Sequence, residues 1–332
     1  MKLEDIGFYT LSDYRAEQTS AKSPLWRCEL ILTDKCNFSC PYCRGLRKDV
    51  AGTLPFNEAM RTLELWCSQG LKNVRFSGGE PTLYDGLGQL VSYCKTNGVE
   101  RVAVSTNGSA DWTEYEKLHA AGVNDFSVSL DSCCASIGDE MAGGISGAWH
   151  HLIENIRKLS KITYTTVGIV ITEDNLDKCV DTILFADSLG VSDIRVIPSA
   201  QYNRLLTAMK QIPDSILGKY PILRYRVNNV RAGRNVRGIK QTDCGKCWLA
   251  LDDMAVANGY HFPCIIYMRE QGDPIGRVGI NMRKEREEWI KAHDCFSDEI
   301  CKKNCLDVCI DYCNKAEEAP SMAQESRQDN AK

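Results

Sequence analysis

The sequence predicts an α/β protein: a partial (β/α)6 barrel followed by a smaller, cysteine-rich C-terminal domain. From residue 28 to about 200, short β-branched runs alternate with amphipathic helical patterns, as in consecutive βα units around a parallel sheet. Beyond that region the cysteines become dense, with eight of them between Cys244 and Cys313. The chain has 332 residues, of which 43% are hydrophobic and 25% charged. This composition excludes a fibrous or mostly disordered protein.

Six runs of β-branched and apolar residues predict the strands. They are CELILT (28–33), NVRFSG (73–78), RVAVSTNG (101–108), DFSVSLD (125–131), TTVGIVI (165–171) and DIRVIPS (193–199). Five segments with apolar residues at three- and four-residue steps predict helices, and several of them end at glycine. These are residues 57–70, 84–98, 111–122, 148–160 and 175–190. Six units, where a closed TIM barrel has eight, predict an open, TIM-like partial barrel.

Polar residues follow four successive strands. The first strand runs into TDKCNFSCPYC (33–43), the second into SGGEP (77–81), the third into TNG (106–108) and the fourth into SLD (129–131). Each alone could be an ordinary turn. Because the carboxyl ends of parallel strands share one rim, the four together are better explained as one site.

Three cysteines in the first of these loops indicate a metal centre. They have the spacing Cys36-x3-Cys40-x2-Cys43. Thiolates select iron–sulfur clusters, zinc or copper(I). A structural zinc ion would need a fourth ligand, and RGLRKDV, which follows Cys43, contains neither cysteine nor histidine. Three ligands on a four-iron cluster would instead leave one iron open for a substrate or cofactor.

This loop resembles that of the radical S-adenosylmethionine (SAM) superfamily. The resemblance rests on the three-cysteine spacing, on Tyr42 before the last cysteine, and on Gly-Gly-Glu-Pro at the end of the next strand. It covers strands one to six. LTDKCNFSCPYC, VRFSGGEP, STNGS and VSLDS are most similar to the branch of molybdenum-cofactor cyclases and of enzymes with a C-terminal SPASM or Twitch domain.

The resemblance implies a set of cofactor contacts. Cys36, Cys40 and Cys43 are expected to hold a 4Fe-4S cluster whose free iron chelates the amino and carboxylate groups of SAM. The implied SAM contacts are Gly78, Gly79 and Glu80 at the amino group, Thr106, Asn107, Ser129 and Asp131 at the ribose and carboxylate, and Tyr42 and Ile197 at the adenine. The implied reaction is one-electron cleavage of SAM to a 5'-deoxyadenosyl radical, which abstracts a hydrogen atom from an unactivated carbon. A flavodoxin or ferredoxin would supply the electron.

The C-terminal cysteines are similar to those of SPASM domains. Cys247-x11-Gly259-x4-Cys264 matches the opening of the SPASM signature, and Ala292 stands where a further cysteine is usual. The resemblance implies one or two auxiliary 4Fe-4S clusters. The expected ligands are Cys244, Cys247, Cys264 and Cys305 for the first, and Cys295, Cys301, Cys309 and Cys313 for the second. A structural zinc site, or a helix with thiols on its core face, are the alternatives.

The remaining cysteines and the N-terminus indicate the redox environment and the cellular location of the protein. Six scattered cysteines are expected to be buried small hydrophobes: Cys28, Cys67, Cys94, Cys133, Cys134 and Cys179. The total of 17 cysteines is odd, so complete disulfide pairing is impossible. The N-terminus lacks the apolar core of a signal peptide, and no segment approaches the ~18 apolar residues of a membrane span. We therefore expect a cytoplasmic enzyme that does not associate with membranes.

A basic segment, RYRVNNVRAGRNVRGIK (224–240), separates the two domains. We interpret it as a solvated strand or linker, although it could bind a carboxylate, a phosphate or a nucleic-acid backbone. The second possibility defines an alternative of another class, a non-catalytic iron–sulfur or zinc protein that binds nucleic acid. The expected divisions are an N-terminal extension (1–24), the barrel (25–215), a basic linker (216–240), the auxiliary-cluster domain (241–316) and a disordered tail (317–332).

The substrate is the least determined part of the prediction. Only 35 residues precede Cys36, which is short for a separate peptide-recognition domain. We therefore expect a small molecule or nucleotide-type substrate that undergoes net oxidation, epimerisation or rearrangement. A maturase that introduces a thioether, a crosslink or an epimerised residue into a ribosomal peptide or protein side chain is the main alternative.

Overall fold

The computed structural model describes residues 13–319, and its strands join one nine-stranded sheet in the order β6-β5-β4-β3-β2-β1-β7-β8-β9. The strands are β1 (Arg27–Thr33), β2 (Asn73–Gly78), β3 (Arg101–Thr106), β4 (Asp125–Ser129), β5 (Tyr164–Ile171), β6 (Asp193–Pro198), β7 (Asp253–Ala257), β8 (Tyr260–Phe262) and β9 (Gly276–Arg277). Strands β1 to β6 are parallel and coincide with the six predicted runs. The predicted partial barrel is therefore confirmed.

The predicted helices are also present, and each connects two neighbouring parallel strands. The helices are α1 (Asp13–Glu17), α2 (Phe56–Ser68), α3 (Leu87–Thr96), α4 (Trp112–Ala121), α5 (Ala135–Met141), α6 (Ala148–Ile162), α7 (Cys179–Ser188), α8 (Asp214–Leu217), α9 (Pro221–Arg231), α10 (Ile265–Arg269), α11 (Met282–Ala292), α12 (Glu299–Asn304) and α13 (Asp307–Glu318). The periodic segments correspond to α2, α3, α4, α6 and α7. None of the helices in the described part of the chain is long and apolar enough to span a lipid bilayer.

Alternate residues of each strand face two different environments, because side chains in a strand point to opposite sides of the sheet. In β1, Cys28, Leu30 and Leu32 belong to the main hydrophobic core together with side chains from the five barrel helices. The intervening Glu29 is buried on the other face, as is Arg75 of β2. The inner surface of the half-barrel is thus more polar than the surface beneath the helices.

The C-terminal region continues the barrel sheet. Strand β7 pairs in parallel with β1, and β8 and β9 follow in antiparallel order. The Arg27 guanidinium donates to the Asp253 carboxylate at 2.7 Å across the β1–β7 pair, and both side chains are buried. The sequence did not predict this continuity, since the three C-terminal strands are short and follow no periodic helix.

The basic segment differs from the prediction of a solvated strand or linker. Its first eight residues, 224–231, form the C-terminal part of α9, which packs on β6 and places Val227 and Val230 in the main core. Arg226 forms a fully buried ion pair with Asp307. Two further arginines form ion pairs, Arg231 with Asp214 at 2.8 Å and Arg234 with Asp311 at 2.6 Å. Three arginines of the basic segment therefore pair with acids of the same chain.

Both ends of the described chain contain helices. Helix α1, in the predicted N-terminal extension, packs against α13, where Thr19 hydrogen-bonds Tyr312. Helix α13 continues to Glu318, two residues into the predicted disordered tail. Residues 1–12 and 320–332 of the two predicted terminal segments lie outside the described residues.

The prediction for the six scattered cysteines holds in part. Cys28, Cys94 and Cys179 are buried, whereas Cys67, Cys133 and Cys134 are half-buried. The three buried thiols face the main core.

The buried Arg226–Asp307 pair yields a stability prediction. Asp307→Ala should lower the free energy of unfolding by about 3–5 kcal/mol, because it leaves the Arg226 charge buried without its carboxylate. Asp214→Ala removes the partner of Arg231 at a position where the acid is 84% exposed, so it should have a much smaller effect. Anaerobic denaturant unfolding of the reconstituted protein measures both. Equal shifts in the two variants would contradict the prediction.

Candidate functional site

The three-cysteine loop leaves β1 at the carboxyl edge of the sheet. Cys36 and Cys43 are exposed and Cys40 is half-buried, and a turn closes between Cys43 N–H and the Cys40 carbonyl at 3.0 Å. Burial raises the pKa of the Cys40 thiol to about 12, with further contributions from Asp131, Cys43 and Cys36. The three thiols therefore lie on one short loop at the carboxyl edge of the sheet, where the sequence predicts the cluster.

Two glycines at the end of β2 hold this loop. Gly79 N–H donates to the Thr33 carbonyl at 2.7 Å, and Glu80 N–H donates to the Lys35 carbonyl at 2.8 Å. A Cβ on Gly78 would lie 2.4 Å from the Thr33 oxygen, and one on Gly79 would lie 2.1 Å from the Lys35 oxygen. The glycines are therefore required by the close approach of two backbones. Their expected contact with the SAM amino group stays a prediction.

Glu80 makes several hydrogen bonds within the protein, and its expected contact with the SAM amino group stays a prediction. Its side chain is fully buried. One oxygen accepts from the Thr106 hydroxyl at 2.8 Å and from Thr82, and the other accepts from Asn107 N–H at 2.7 Å. Because both oxygens are engaged, the carboxylate positions the end of β3 against the β2 loop. Thr106 is buried in the same contact, and its expected hydrogen bond to SAM stays a prediction.

Asn107 lies beside the cysteine loop. Its Nδ2 is 3.8 Å from Cys36 Sγ and donates to Asn37 Oδ1 at 2.9 Å. Asn37 in turn donates to Ser109 Oγ at 2.8 Å. Asn37 was not among the predicted site residues, although its position directly after the first cysteine was a signal for it.

Tyr42 and Asp131 contact each other at the same rim. The Tyr42 hydroxyl donates to Asp131 Oδ2 at 2.5 Å, and Val170 N–H donates to Oδ1 at 2.8 Å. Burial raises the pKa of Asp131 to about 6, while both hydrogen bonds favour the carboxylate. The pair joins the cysteine loop to β4 and β5. Ser129, exposed at the end of β4, and Ile197, paired with Val170 in register, complete this edge.

Arg269 from the C-terminal region also reaches the site. It donates to the Gly45 carbonyl at 2.9 Å and to the Gly78 carbonyl at 2.9 Å. A neighbouring ion pair, Arg44 with Glu270 at 2.8 Å, joins the same two segments. Sequence patterns carried no signal for Arg269, because its partners are backbone carbonyls far away in the chain.

The C-terminal cysteines converge on one cavity. All eight line it, together with apolar side chains such as Ile239, Leu249 and Ile266. The lining cysteines are Cys244, Cys247, Cys264, Cys295, Cys301, Cys305, Cys309 and Cys313. Thiols converging in apolar surroundings fit iron–sulfur clusters. The alternative of thiols as plain core residues does not describe this arrangement, because they face a shared space.

The thiol contacts within this cavity do not all match the expected division of the eight cysteines into two clusters. Cys295 and Cys301, both expected in the second cluster, interact directly. Cys247 and Cys313 also interact, although they were expected in different clusters. The convergence of the eight thiols therefore supports auxiliary centres more strongly than it supports the pairing.

Comparisons with known proteins agree with this geometry. Residues 30–186 match the family model described as the radical SAM superfamily. The chain is 30% identical over 219 residues to a probable GTP 3',8-cyclase of Sulfurisphaera tokodaii, covering 60% of this chain and 69% of that protein. It is 34% identical over 137 residues to the GTP 3',8-cyclase of a Synechococcus species, covering 40% of each. The chain thus spans less than half the length of that second relative.

Solved structures share the fold at low sequence identity. Streptococcus suis SuiB bound to the precursor peptide SuiA has a TM-score of 0.60 at 15% identity, over 83% of this chain and 66% of that one. A second structure, anSMEcpe with bound AdoMet, has a TM-score of 0.59 at 15% identity, over 92% of this chain and 96% of that one. These similarities concern the fold.

The partial barrel, the three-cysteine loop and the sequence relatives lead to the same conclusion. The cofactors of such a protein are SAM and a 4Fe-4S cluster, and the cysteine-rich region holds thiols enough for auxiliary clusters. The chain is an enzyme and belongs to the radical SAM superfamily.

Proposed function

We propose that this enzyme abstracts a hydrogen atom from a small molecule or nucleotide-type substrate by means of a 5'-deoxyadenosyl radical. The observation that carries the proposal is the cysteine loop at the carboxyl edge of β1, held by the backbone of Gly78 to Glu80. In this proposal Cys36, Cys40 and Cys43 hold the cluster. When bound, the cluster supplies the electron that cleaves SAM, and it receives that electron from a flavodoxin or ferredoxin in the cytoplasm.

The surrounding residues keep this loop in one orientation. Asn107 lies against Cys36, and Tyr42 fixes the loop to the carboxylate of Asp131. The Glu80 carboxylate joins the ends of β2 and β3 by hydrogen bonds to Thr106 and Asn107. A fixed loop is needed because a radical must be aimed at one C–H bond.

The auxiliary centres would lie in the C-terminal cavity. Its thiols would supply the ligands, and apolar side chains form much of its remaining wall. Such centres can anchor a substrate or accept the electron that remains after hydrogen abstraction. The second role would make the overall reaction an oxidation.

The inner face of the half-barrel carries two arginines that we take as candidate contacts for an anionic substrate, of which Arg75 is buried near Glu29 and Asp125 and Arg195 is half-buried. Arg75 Nη1 donates to Ser105 Oγ at 3.2 Å, and Arg195 Nη2 donates to Ser127 Oγ at 3.3 Å. These residues alternate with the strand positions that face the helix-covered core. Guanidinium groups bind phosphates and carboxylates by paired hydrogen bonds. The relatives named GTP 3',8-cyclase likewise favour a nucleotide-type molecule.

Two other functions have less support. A peptide maturase is compatible with the shared fold of SuiB, whose structure contains a precursor peptide. That similarity is limited to the fold. A nucleic-acid-binding protein loses its basis, because three arginines of the basic segment pair with acids of this chain.

The ligand assignment predicts a loss of iron. Cys40→Ala should abolish 5'-deoxyadenosine formation from SAM and remove about four irons per chain, since a cluster with two remaining ligands is not retained. The matched control is Cys133→Ala, which removes a half-buried thiol outside both cysteine groups. Anaerobic reconstitution, iron analysis and chromatography of the dithionite-reduced reaction measure these effects. Unchanged iron, or loss of zinc in its place, would overturn the assignment.

The substrate proposal predicts stimulation by nucleotides. GTP or another nucleoside triphosphate should increase 5'-deoxyadenosine formation. Deuterium placed at the attacked carbon of the nucleotide should be transferred to 5'-deoxyadenosine. Arg195→Gln should raise the nucleotide KM by about 10–100-fold, through loss of one charge-assisted hydrogen bond. Arg224→Gln, at an exposed position on α9, is the control. Stimulation by a peptide but by no nucleotide would favour the maturase.

A further inference from the structure

A histidine lies beside two of the auxiliary cysteines. Within residues 13–319, the ligand atoms of His293, Cys295 and Cys301 all lie within 4.8 Å of one another. The sequence analysis assigned both thiols to an auxiliary centre but gave His293 no role. Three donors at this separation can contact a single metal atom or the edge of a cluster.

The backbone holds His293 firmly in place. It directly follows α11, and its N–H donates to the Trp289 carbonyl at 2.8 Å. The Lys246 ammonium donates to the His293 carbonyl at 3.1 Å. The imidazole stacks on the Trp289 indole with ring centroids 4.0 Å apart and 18° between the planes. The ring therefore has one preferred orientation.

In that orientation the imidazole faces a thiol. Its Nε2 is 3.5 Å from Cys301 Sγ and 4.0 Å from Asp298 Oδ2. The carboxylate of Asp298 is engaged elsewhere, because Oδ2 accepts from the Tyr267 hydroxyl at 3.0 Å and Oδ1 accepts from two backbone N–H groups of α12. The ring nitrogen is thus aimed at the thiol pair more closely than at the carboxylate.

The two thiols belong to the cysteine cavity. Cys295 and Cys301 both line it, and Cys295 N–H donates to the Gly245 carbonyl at 3.0 Å, between Cys244 and Cys247. We propose that His293 is a ligand of the auxiliary iron–sulfur centre held by Cys295 and Cys301. The inference rests on the proposed function in one respect, namely that the cavity holds iron–sulfur centres.

An imidazole ligand changes the electronic properties of such a centre. Neutral imidazole donates less negative charge to iron than a thiolate does, so a cluster with a histidine ligand has a higher reduction potential than its all-cysteine equivalent. A higher potential suits a centre that accepts an electron from a substrate radical. Ala292, the preceding residue, has no donor atom in its side chain, whereas the imidazole of His293 has a nitrogen that can bind iron.

The test uses a protein without the catalytic cluster, so that only auxiliary centres contribute to the spectra. The parent is the full-length Cys36→Ala, Cys40→Ala, Cys43→Ala variant, labelled with ¹⁵N-histidine, reconstituted anaerobically and reduced with dithionite. Pulsed electron paramagnetic resonance should show a ¹⁵N coupling from a directly bound histidine. The coupling should disappear in His293→Ala and persist in His150→Ala, which changes an exposed histidine.

A second variant keeps the inference testable if removal of the imidazole disrupts the centre. His293→Cys should retain the iron, lose the nitrogen coupling and shift the midpoint potential to a lower value, because a thiolate replaces a neutral ligand. An unchanged coupling in His293→Ala, or a parent spectrum without histidine coupling, would overturn the inference. Loss of zinc from His293→Ala at constant iron would also overturn it.

These outcomes are independent of the catalytic proposal. If the wild type formed no 5'-deoxyadenosine, the proposed function would fail while the spectra of the parent variant stayed interpretable. If the wild type cleaved SAM and the parent lacked the coupling, only the ligand role of His293 would fail.

Discussion

The site depends on one backbone contact between the ends of β1 and β2. Gly79 N–H donates to the Thr33 carbonyl and Glu80 N–H donates to the Lys35 carbonyl, so the loop that carries the cysteines begins in a fixed direction. Side chains larger than hydrogen at the two glycines would collide with that backbone. The buried carboxylate of Glu80 extends the contact to β3. The orientation of the three thiols therefore follows from hydrogen bonds that no thiol makes.

The C-terminal region is built onto the same framework. Strand β7 continues the sheet beside β1, and the buried Arg27–Asp253 pair joins the two strands. Arg269 then bridges carbonyls of the cysteine loop and of the β2 loop. A centre in the cysteine cavity would consequently be held in a constant position relative to the proposed SAM site. Such a constant distance suits electron transfer between a substrate and an auxiliary centre.

The position of the basic residues in the sequence does not show where positive charge is available in the fold. The basic segment contributes much of its charge to internal ion pairs, with Arg226 and Asp307 fully buried. Two other arginines, Arg75 and Arg195, extend from the β2 and β6 strands into the half-barrel. The proposed recognition of an anionic substrate relies mainly on Arg195, which is half-buried and belongs to no basic run.

The sequence by itself determined the elements with local causes. Runs of β-branched and apolar residues specified β1 to β6, and apolar residues at three- and four-residue steps specified the five barrel helices. The spacing of Cys36, Cys40 and Cys43 specified the metal loop. The tertiary structure alone decided the contacts between distant residues: β7 beside β1, Glu80 turned inward to Thr106, and His293 beside Cys301. Local periodicity reports which face of an element is apolar, whereas the partner of a polar side chain depends on how the elements pack. For that reason the cysteines were predictable and the histidine among them was not.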